Sequence, residues 1–247
     1  MTETNFLPEE RGLRRNLAAA YRLIALFGWD DHVATHLSAR LPDGSYLLNP
    51  FGLMFEEITA SSLIRVDMEG NVISPPDVSL NVAGYTVHSG VLGARDDIHC
   101  AIHLHTHDGV AVSALEEGFL PLSQTALLIH SDIAYHEFEG VVAQKDERER
   151  LGRDLGAKNL MILRNHGTLA VGETIADAFY RIYTLEWCCT TQMRALASGH
   201  ALRLPDIEAA KQVGSAMDWT SPQRFSLRVF WPAMLRKAER CCPGFDD

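Results

Sequence analysis

The sequence predicts an α/β protein, a layered sandwich around a central sheet that is mixed or largely antiparallel. Short β-prone runs separated by turn signals occupy residues 32–73, and helical periodicity alternates with buried strand-like runs through most of the remaining chain. A chain of 247 residues with 47% hydrophobic composition can fill one large core. Because no repeat or interdomain linker interrupts it, we expect a single domain over residues 1–247.

The first third of the chain predicts a helix, a set of strands and a second helix. Apolar residues at helical spacing predict an N-terminal amphipathic helix: Leu13, Leu17, Ala20, Ile24 and Phe27. This helix is expected to end at a glycine cap, Gly28. The turn signals PDG, NPFG and EGN then separate short strands up to Ile73. Residues 79–95 predict a helix that opens with a cap at Ser79.

Strands and helices are expected to alternate after this point. Buried strands are predicted at residues 97–105 and 159–165, and helices at 111–117, 122–130, 146–156 and 175–197. Past Pro205 the chain is predicted to be helical, with interruptions at Pro222 and Pro232. Residues 205–247 are expected to form a C-terminal extension that packs on the core or on a neighbouring subunit. Its aromatic side chains need such a surface, and a neighbouring subunit is the favoured one: Trp219, Phe225 and Trp231.

Composition and charge argue against several classes of function. Lys and Arg number 22 against 32 Asp and Glu, a net charge of −10, which argues against nucleic acid as a partner and favours a small-molecule substrate. No apolar run is long enough to span a membrane, and the N-terminus lacks a signal-peptide core, so the expected compartment is the cytoplasm. The five cysteines lack zinc-knuckle or redox spacing and are expected to be free thiols.

Three histidines predict a metal site. On a strand, alternate side chains share a face, so His103 and His105 in HLHTH can reach one ion. His166, at the end of a strand-like run before Gly167, is the third candidate. Three imidazoles leave a coordination position open, which is typical of a catalytic zinc site, although Mn²⁺, Fe²⁺ and Co²⁺ also suit them. The alternative for an isolated His-x-His pair is chance or a pair of core histidines.

Five segments, in this order and spacing, resemble the class II aldolase/adducin family: GWDDHVATHLSAR, LLNPFGLMFEEITASSLIRVDMEGNVI, ARDDIHCAIHLHTHD, HSDIAYHEFEG and ILRNHGTLAVG. The resemblance runs from about Arg11 to about Ala197. It implies a three-layer α/β/α sandwich with a mixed, largely antiparallel sheet, commonly assembled as a homotetramer with active sites between subunits. It also implies one divalent ion per subunit, most simply Zn²⁺, on the three histidines, where the ion acts as a Lewis acid on a ketose.

Two departures from the family's pattern bear on the substrate. Where its aldolases carry Ser-Ser-Glu, with the glutamate as acid/base, this chain carries Val82, Ala83 and Gly84. Where their phosphate loop reads Gly-Asn-x-Ser, this chain reads residues 35–38, Thr-His-Leu-Ser, and only Gly52 of the phosphate-binding pattern is clearly kept. The chain is therefore more similar to the adducin-like bacterial branch, and we expect a non-phosphorylated substrate.

Several residues are candidates for the work of the absent glutamate. We predict Tyr135 and His88 as catalytic proton carriers, and His36, Ser38 and Gly52 as substrate-binding residues. The alternatives are a histidine beneath the site for His88 and strand packing for His36. Glu137 and Glu139 are further carboxylate candidates, with a charged surface turn as the alternative. Glu186 is expected either to brace a ligand histidine or to form a buried ion pair with Arg181 or Arg194.

The leading functional hypothesis is a metal-dependent carbon–carbon lyase, an aldolase or a decarboxylase, acting on a small hydroxy- or oxo-acid. A non-haem iron oxygenase on the same three-histidine site is the first alternative. The second is a non-catalytic, adducin-like binding or scaffold protein. An open metal site argues against the scaffold, and metal identity together with oxygen consumption separates the two enzymes.

Overall fold

The computed structural model describes residues 6–75, 78–140, 145–206, 212–213 and 220–247. Trp219, whose side chain is predicted to pack on a subunit surface, lies outside these residues. In the described part of the chain no helix is both long enough and apolar enough to cross a lipid bilayer.

One eight-stranded sheet runs through the molecule in the order β4-β3-β2-β1-β5-β8-β7-β6. Its strands are β1 (His36–Arg40), β2 (Tyr46–Leu48), β3 (Ile64–Val66), β4 (Val72–Ser74), β5 (Cys100–Leu104), β6 (Ile133–His136), β7 (Leu160–Leu163) and β8 (Gly167–Gly172). Every neighbouring pair is antiparallel except β6 and β7, which are parallel. The sheet is therefore mixed and largely antiparallel, as predicted.

Helices cover both faces of this sheet. They are α1 (Pro8–Leu26), α2 (Val82–Ala94), α3 (His107–Ser113), α4 (Gln124–Ile129), α5 (Lys145–Leu155), α6 (Ile175–Ala197) and α7 (Trp231–Cys241). One apolar core lies between the sheet and α1, α3, α4, α6 and α7, and a second lies between the sheet and α2 and α5. Successive side chains of a strand point into opposite cores: Ile162 belongs to the first core and Met161 to the second. These three layers confirm the predicted α/β/α sandwich.

Two helix termini test the capping predictions. Gly28 follows α1 with φ +67°, and its amide donates to the carbonyl of Ala25 at 2.9 Å, which confirms the predicted glycine cap. The predicted Ser79 cap of α2 is wrong. Asn81 caps this helix instead, because its side-chain oxygen accepts the Gly84 amide at 3.2 Å and so satisfies a free first-turn donor.

The described part of the C-terminal segment lies on the first core. The Trp231 ring is 5.3 Å from that of Phe179, and its indole N–H donates to Asn16 Oδ1 at 3.0 Å. Phe225 is 46% exposed, with its ring 5.4 Å from that of Tyr180. The predicted break at Pro232 is wrong, because a π-helical turn (Ser226–Phe230) joins directly to α7 and places the proline in the first turn of that helix.

Candidate metal centre

Three imidazoles converge where β5 ends beside the turn that joins β7 to β8. Strand alternation projects His103 and His105 to one side, and the turn carries His166 after Asn165, whose φ is +56°. The Nε2 atom of His103 lies 2.9 Å from Nε2 of His105 and 3.3 Å from Nε2 of His166. The structure therefore brings together the three predicted ligands, with all three ligand atoms within 4.8 Å of one another.

The protonation of these rings fits a divalent cation. His103 Nδ1 lies 2.9 Å from the Thr168 carbonyl, which can only accept, so Nδ1 carries the proton and Nε2 presents a lone pair. His105 Nδ1 lies 3.1 Å from Asp31 Oδ2, whose pKa is lowered chiefly by that contact. With both Nδ1 atoms directed at acceptors, the two Nε2 atoms face each other at 2.9 Å, an arrangement that suits a cation shared between them.

Burial keeps two of the three ligand rings, those of His103 and His166, neutral. It lowers the pKa of His103 well below its usual 6.5, and the neighbouring histidines lower it further. Burial also lowers the pKa of His166 to about 4, with a smaller contribution from His105. Because a metal binds unprotonated imidazole, these rings would be in the ligand form at neutral pH.

A cavity of about 470 Å³ opens beside the three histidines. Its volume is within the range of small-molecule sites, roughly 300–1,000 Å³. Its wall is mostly apolar: Val33, Ala34, Phe51, Val87 and Phe138. Beyond the three ligands, its polar side chains are those of His36 and Asn81, and none of the described residues that line it is Lys or Arg.

His36 occupies the position nearest to the absent glutamate. A Cβ atom placed on Gly84 would lie only 2.6 Å from Cδ2 of His36, so the imidazole fills the space that a side chain at position 84 would need. The His36 ring centroid is 5.2 Å from that of His103, and within the described chain Nδ1 of His36 has no hydrogen-bond partner. Burial lowers the pKa of His36 well below 6.5. A histidine on β1 thus lies against Gly84, the position at which the resemblance implies a glutamate.

The other predicted site residues lie outside the cavity wall. Ser38 and His88 are fully buried and hydrogen-bonded to each other through Oγ and Nδ1, and burial lowers the pKa of His88 to about 3. The His88 ring stacks edge-on against His36 at 4.7 Å, which matches the alternative of a histidine beneath the site. Ser38 and His88 therefore support His36 instead of facing a ligand.

Tyr135 and Gly52 are also displaced from the cavity. The Tyr135 hydroxyl accepts the Phe119 amide at 3.0 Å, and the Arg164 guanidinium lies 4.5 Å from its ring centroid. These contacts hold the phenol against the 115–119 turn, outside the described cavity wall of its own chain, and its role as a proton carrier stays a prediction. Gly52 has φ +103°, a turn conformation that glycine adopts readily, and it directly follows Phe51, whose side chain lies in the cavity wall.

Glu186 on α6 braces the site, one of its two predicted roles. Its buried carboxylate accepts the hydroxyls of Thr106 and Thr168, instead of pairing with Arg181 or Arg194. Thr106 directly follows His105, and the Thr168 carbonyl accepts from His103. Asp31, which orients His105, was missed, because it lies 74 residues before His105 and no local pattern links the two.

We predict that Glu186→Gln makes stability less dependent on pH. Burial raises the pKa of Glu186 to about 7 from 4.5, so its stabilising contribution is complete below pH 4.5 and lost as the pH rises through 7. The loss of stability is on the order of 3 kcal/mol. It is absent in the glutamine variant, because an amide does not ionise in this pH range. Between pH 5 and pH 8, the free energy of unfolding measured in urea should rise by about 2 to 3 kcal/mol for the variant relative to the parent. Parallel pH profiles would contradict this, and the exposed Glu149→Gln is the control.

A family profile, solved structures and known sequences resemble this chain. The sequence profile described as "Class II Aldolase and Adducin N-terminal domain" matches residues 15–193, which include all three histidines. The crystal structure of an aldolase II superfamily protein from Pseudomonas syringae aligns with a TM-score of 0.92 at 42% identity, covering 100% of this chain and 99% of that one. An L-fuculose 1-phosphate aldolase from Glaciozyma antarctica aligns with a TM-score of 0.82 at 29% identity, covering 93% and 91%. Alpha-adducin of Mus musculus is 43% identical over 194 residues, which are 76% of this chain and 26% of that protein.

Proposed function

Since this chain belongs to the class II aldolase and adducin family, we propose that it is a metal-dependent carbon–carbon lyase, an aldolase or a decarboxylase. The proposed substrate is a small, non-phosphorylated hydroxy- or oxo-acid. The observation that carries the proposal is the convergence of the Nε2 atoms of three histidines beside a cavity of about 470 Å³. We propose Zn²⁺ as the ion, with Mn²⁺, Fe²⁺ and Co²⁺ as alternatives.

His103, His105 and His166 would hold the ion and leave a position open towards the cavity. When bound, such an ion supplies a Lewis acid that polarises a substrate oxygen and stabilises the negative charge left when a carbon–carbon bond breaks. Asp31 and the Thr168 carbonyl fix the orientation of two of these rings, so the site is organised before a substrate arrives.

His36 is the proton carrier that we propose in place of Tyr135 and His88. Of the described imidazoles in the cavity wall, it is the one outside the metal-binding group. Its lowered pKa keeps it neutral, so it can accept a hydroxyl proton in retro-aldol cleavage. The imidazolium formed in that step is a strong acid in a buried site and can return the proton to the carbanion.

The preference for a non-phosphorylated substrate rests on the cavity wall and on residues 35–38. A phosphate needs clustered cations or free backbone amides, and the described wall contains no Lys or Arg. The Leu37 amide donates to the Tyr21 hydroxyl at 2.8 Å, and Ser38 is engaged by His88. A carboxylate beside a carbonyl or hydroxyl group could instead chelate the ion directly.

Removing and restoring the metal tests this function. We expect the purified protein, stripped with a chelator, to lose cleavage of at least one member of a panel of hydroxy- and oxo-acids, and to regain it with Zn²⁺, Mn²⁺, Fe²⁺ or Co²⁺. Aldehyde and carbon dioxide release would be measured, with L-fuculose 1-phosphate as the phosphorylated comparison. Oxygen consumption by the iron-loaded protein without such cleavage would favour the oxygenase.

The scaffold alternative predicts a different outcome, namely a three-histidine centre that neither retains nor takes up a stoichiometric metal. Oligomeric state is a separate question, for which we propose a homotetramer. Sedimentation equilibrium would test this, and a monomer would contradict it.

A further inference from the structure

A second group of ligand-type side chains lies beside the metal centre. His136, at the end of β6, faces Glu147 on α5 and Glu139 in the segment after the strand, and the three potential ligand atoms lie within 4.8 Å of one another. None of these residues belongs to the three-histidine site. His166 nevertheless borders a cleft that all three line, so the two groups are neighbours.

The orientation of His136 suggests an absent cation. The ring is 4% exposed, and Nδ1 lies 2.7 Å from Asp154 Oδ2, a contact that directs the Nδ1 proton to that carboxylate. Among the described residues, the opposite nitrogen, Nε2, has no hydrogen-bond partner. Its nearest charged neighbour is Glu147 Oε1 at 3.9 Å, too far for a hydrogen bond. A buried imidazole nitrogen without a hydrogen-bond partner therefore faces a carboxylate across a gap.

Negative charge accumulates around this gap. Glu147 is also 4% exposed, and burial raises its pKa, with a further contribution from Glu139. Arg150 balances Glu139 through contacts at 2.8 and 3.0 Å, and Arg153 contacts Asp154 at 3.3 Å. Within the described part of the chain, no Lys or Arg side chain forms a salt bridge with Glu147, and the lowering of its pKa by Arg150 is smaller than the rise caused by burial. A buried carboxylate of this kind requires a proton or a cation nearby.

We propose that His136, Glu139 and Glu147 form a second divalent-cation site, distinct from the three-histidine centre. One imidazole nitrogen and two carboxylate oxygens make a donor set suited to Zn²⁺, Mn²⁺ or Fe²⁺. Asp154 orients the imidazole from behind, as a carboxylate behind a ligand histidine commonly does. This site does not depend on the proposed lyase activity.

A cation here would also influence the cavity. The segment from His136 to Gly140 carries Glu139 and, next to it, Phe138 and Gly140 in the wall of the first site. Phe138 is 57% exposed, so few contacts of its own side chain hold it in place. A cation joining Glu139 to His136 and α5 would fix this wall segment. The second site is thus expected to shape the substrate cavity without contributing to the three-histidine centre.

Metal stoichiometry separates the two sites. After equilibrium dialysis against Zn²⁺ or Mn²⁺, mass spectrometry of the metal content should give two ions per parent chain. It should give one in Glu147→Gln, and one in the double variant His103→Ala/His105→Ala. Glu149→Gln, an exposed change on the same helix, is the matched control and should keep two. One ion in the parent and none in the double variant would overturn the proposal.

A second variant protects the test against misfolding. If Glu147→Gln fails to fold, Glu139→Gln removes a ligand from the exposed side of the site, where loss of structure is not expected. This change should lower the affinity of the protein for the second ion at least tenfold, measured in competition with a chelator, by analogy with the loss of a metal-site contact. Two tightly bound ions in Glu139→Gln would also contradict the site. If the protein binds two ions but cleaves no substrate in the lyase assay, the proposed function is contradicted and the second cation site is not.

Discussion

The double variant His103→Ala/His105→Ala is expected to lose the ion of the three-histidine centre and at least about a thousandfold of any metal-dependent cleavage. The expected factor reflects several kcal/mol of charge stabilisation that a Lewis acid contributes, at roughly 1.4 kcal/mol per tenfold. The remaining histidine, His166, cannot hold a divalent ion alone. Metal content by mass spectrometry and turnover of the best substrate would be measured on the same preparation.

His107→Ala is the matched control for this experiment. His107 is the next histidine of the HLHTH run, but it is exposed as the first residue of α3 and lies outside the group of ligands. The control should keep both the metal and the turnover. Unchanged turnover in the double variant would contradict catalysis by this centre, whatever ions the protein binds elsewhere.

Part of this centre could be predicted from local sequence because strand geometry is periodic. His103 lies on β5 and His105 directly follows that strand, so the alternation of side chains along the chain predicts that both point to one side of the sheet. Apolar segments also predict the buried strands β5 and β7, whereas β8 was not predicted as a strand. The fold class followed from the same patterns, and the resemblance supplied the three layers.

The remainder depends on contacts between distant segments, which local patterns do not encode. His166 reaches His103 only because β8 pairs with β5 in one register, in which His103 lies opposite Leu169. Asp31 behind His105 and Asp154 behind His136 join segments that nothing local connects. Tyr135 was a reasonable candidate from its place in the motif, but the Phe119 amide and Arg164 hold its side chain elsewhere.

The absence of the glutamate that the resemblance implies can be predicted from the sequence, whereas the compensation that we propose through His36 cannot. Gly84 showed that a carboxylate was absent, and His36 was identified only as a substrate contact. Their close approach requires α2 to pack across β1. Because a Cβ on residue 84 would come within 2.6 Å of the His36 ring, the two positions form one unit in which either side chain, but not both, can be accommodated.

His36→Ala is expected to lower kcat by about 10² to 10⁴ while the chain keeps the metal of the three-histidine centre. The reason is that the variant removes the proposed proton carrier but none of the three ligands. The rate would be followed against pH with the substrate identified in the metal-reconstitution assay, beside metal analysis. An unchanged kcat would show that His36 only packs against α2.

Substitutions at Gly84 distinguish a catalytic role for His36 from a packing role. Gly84→Ala alone should destabilise the protein by about 1 to 3 kcal/mol, because the new methyl group displaces a buried ring. In the His36→Ala background this penalty should largely disappear, since the space is then free. The double variant His36→Ala/Gly84→Glu returns a carboxylate to the vacated space, and it should recover at least tenfold in kcat over His36→Ala if proton transfer is what was lost. His36→Ala/Gly84→Gln supplies the same volume without a titratable group, so equal recovery by glutamine and glutamate would assign the loss to packing.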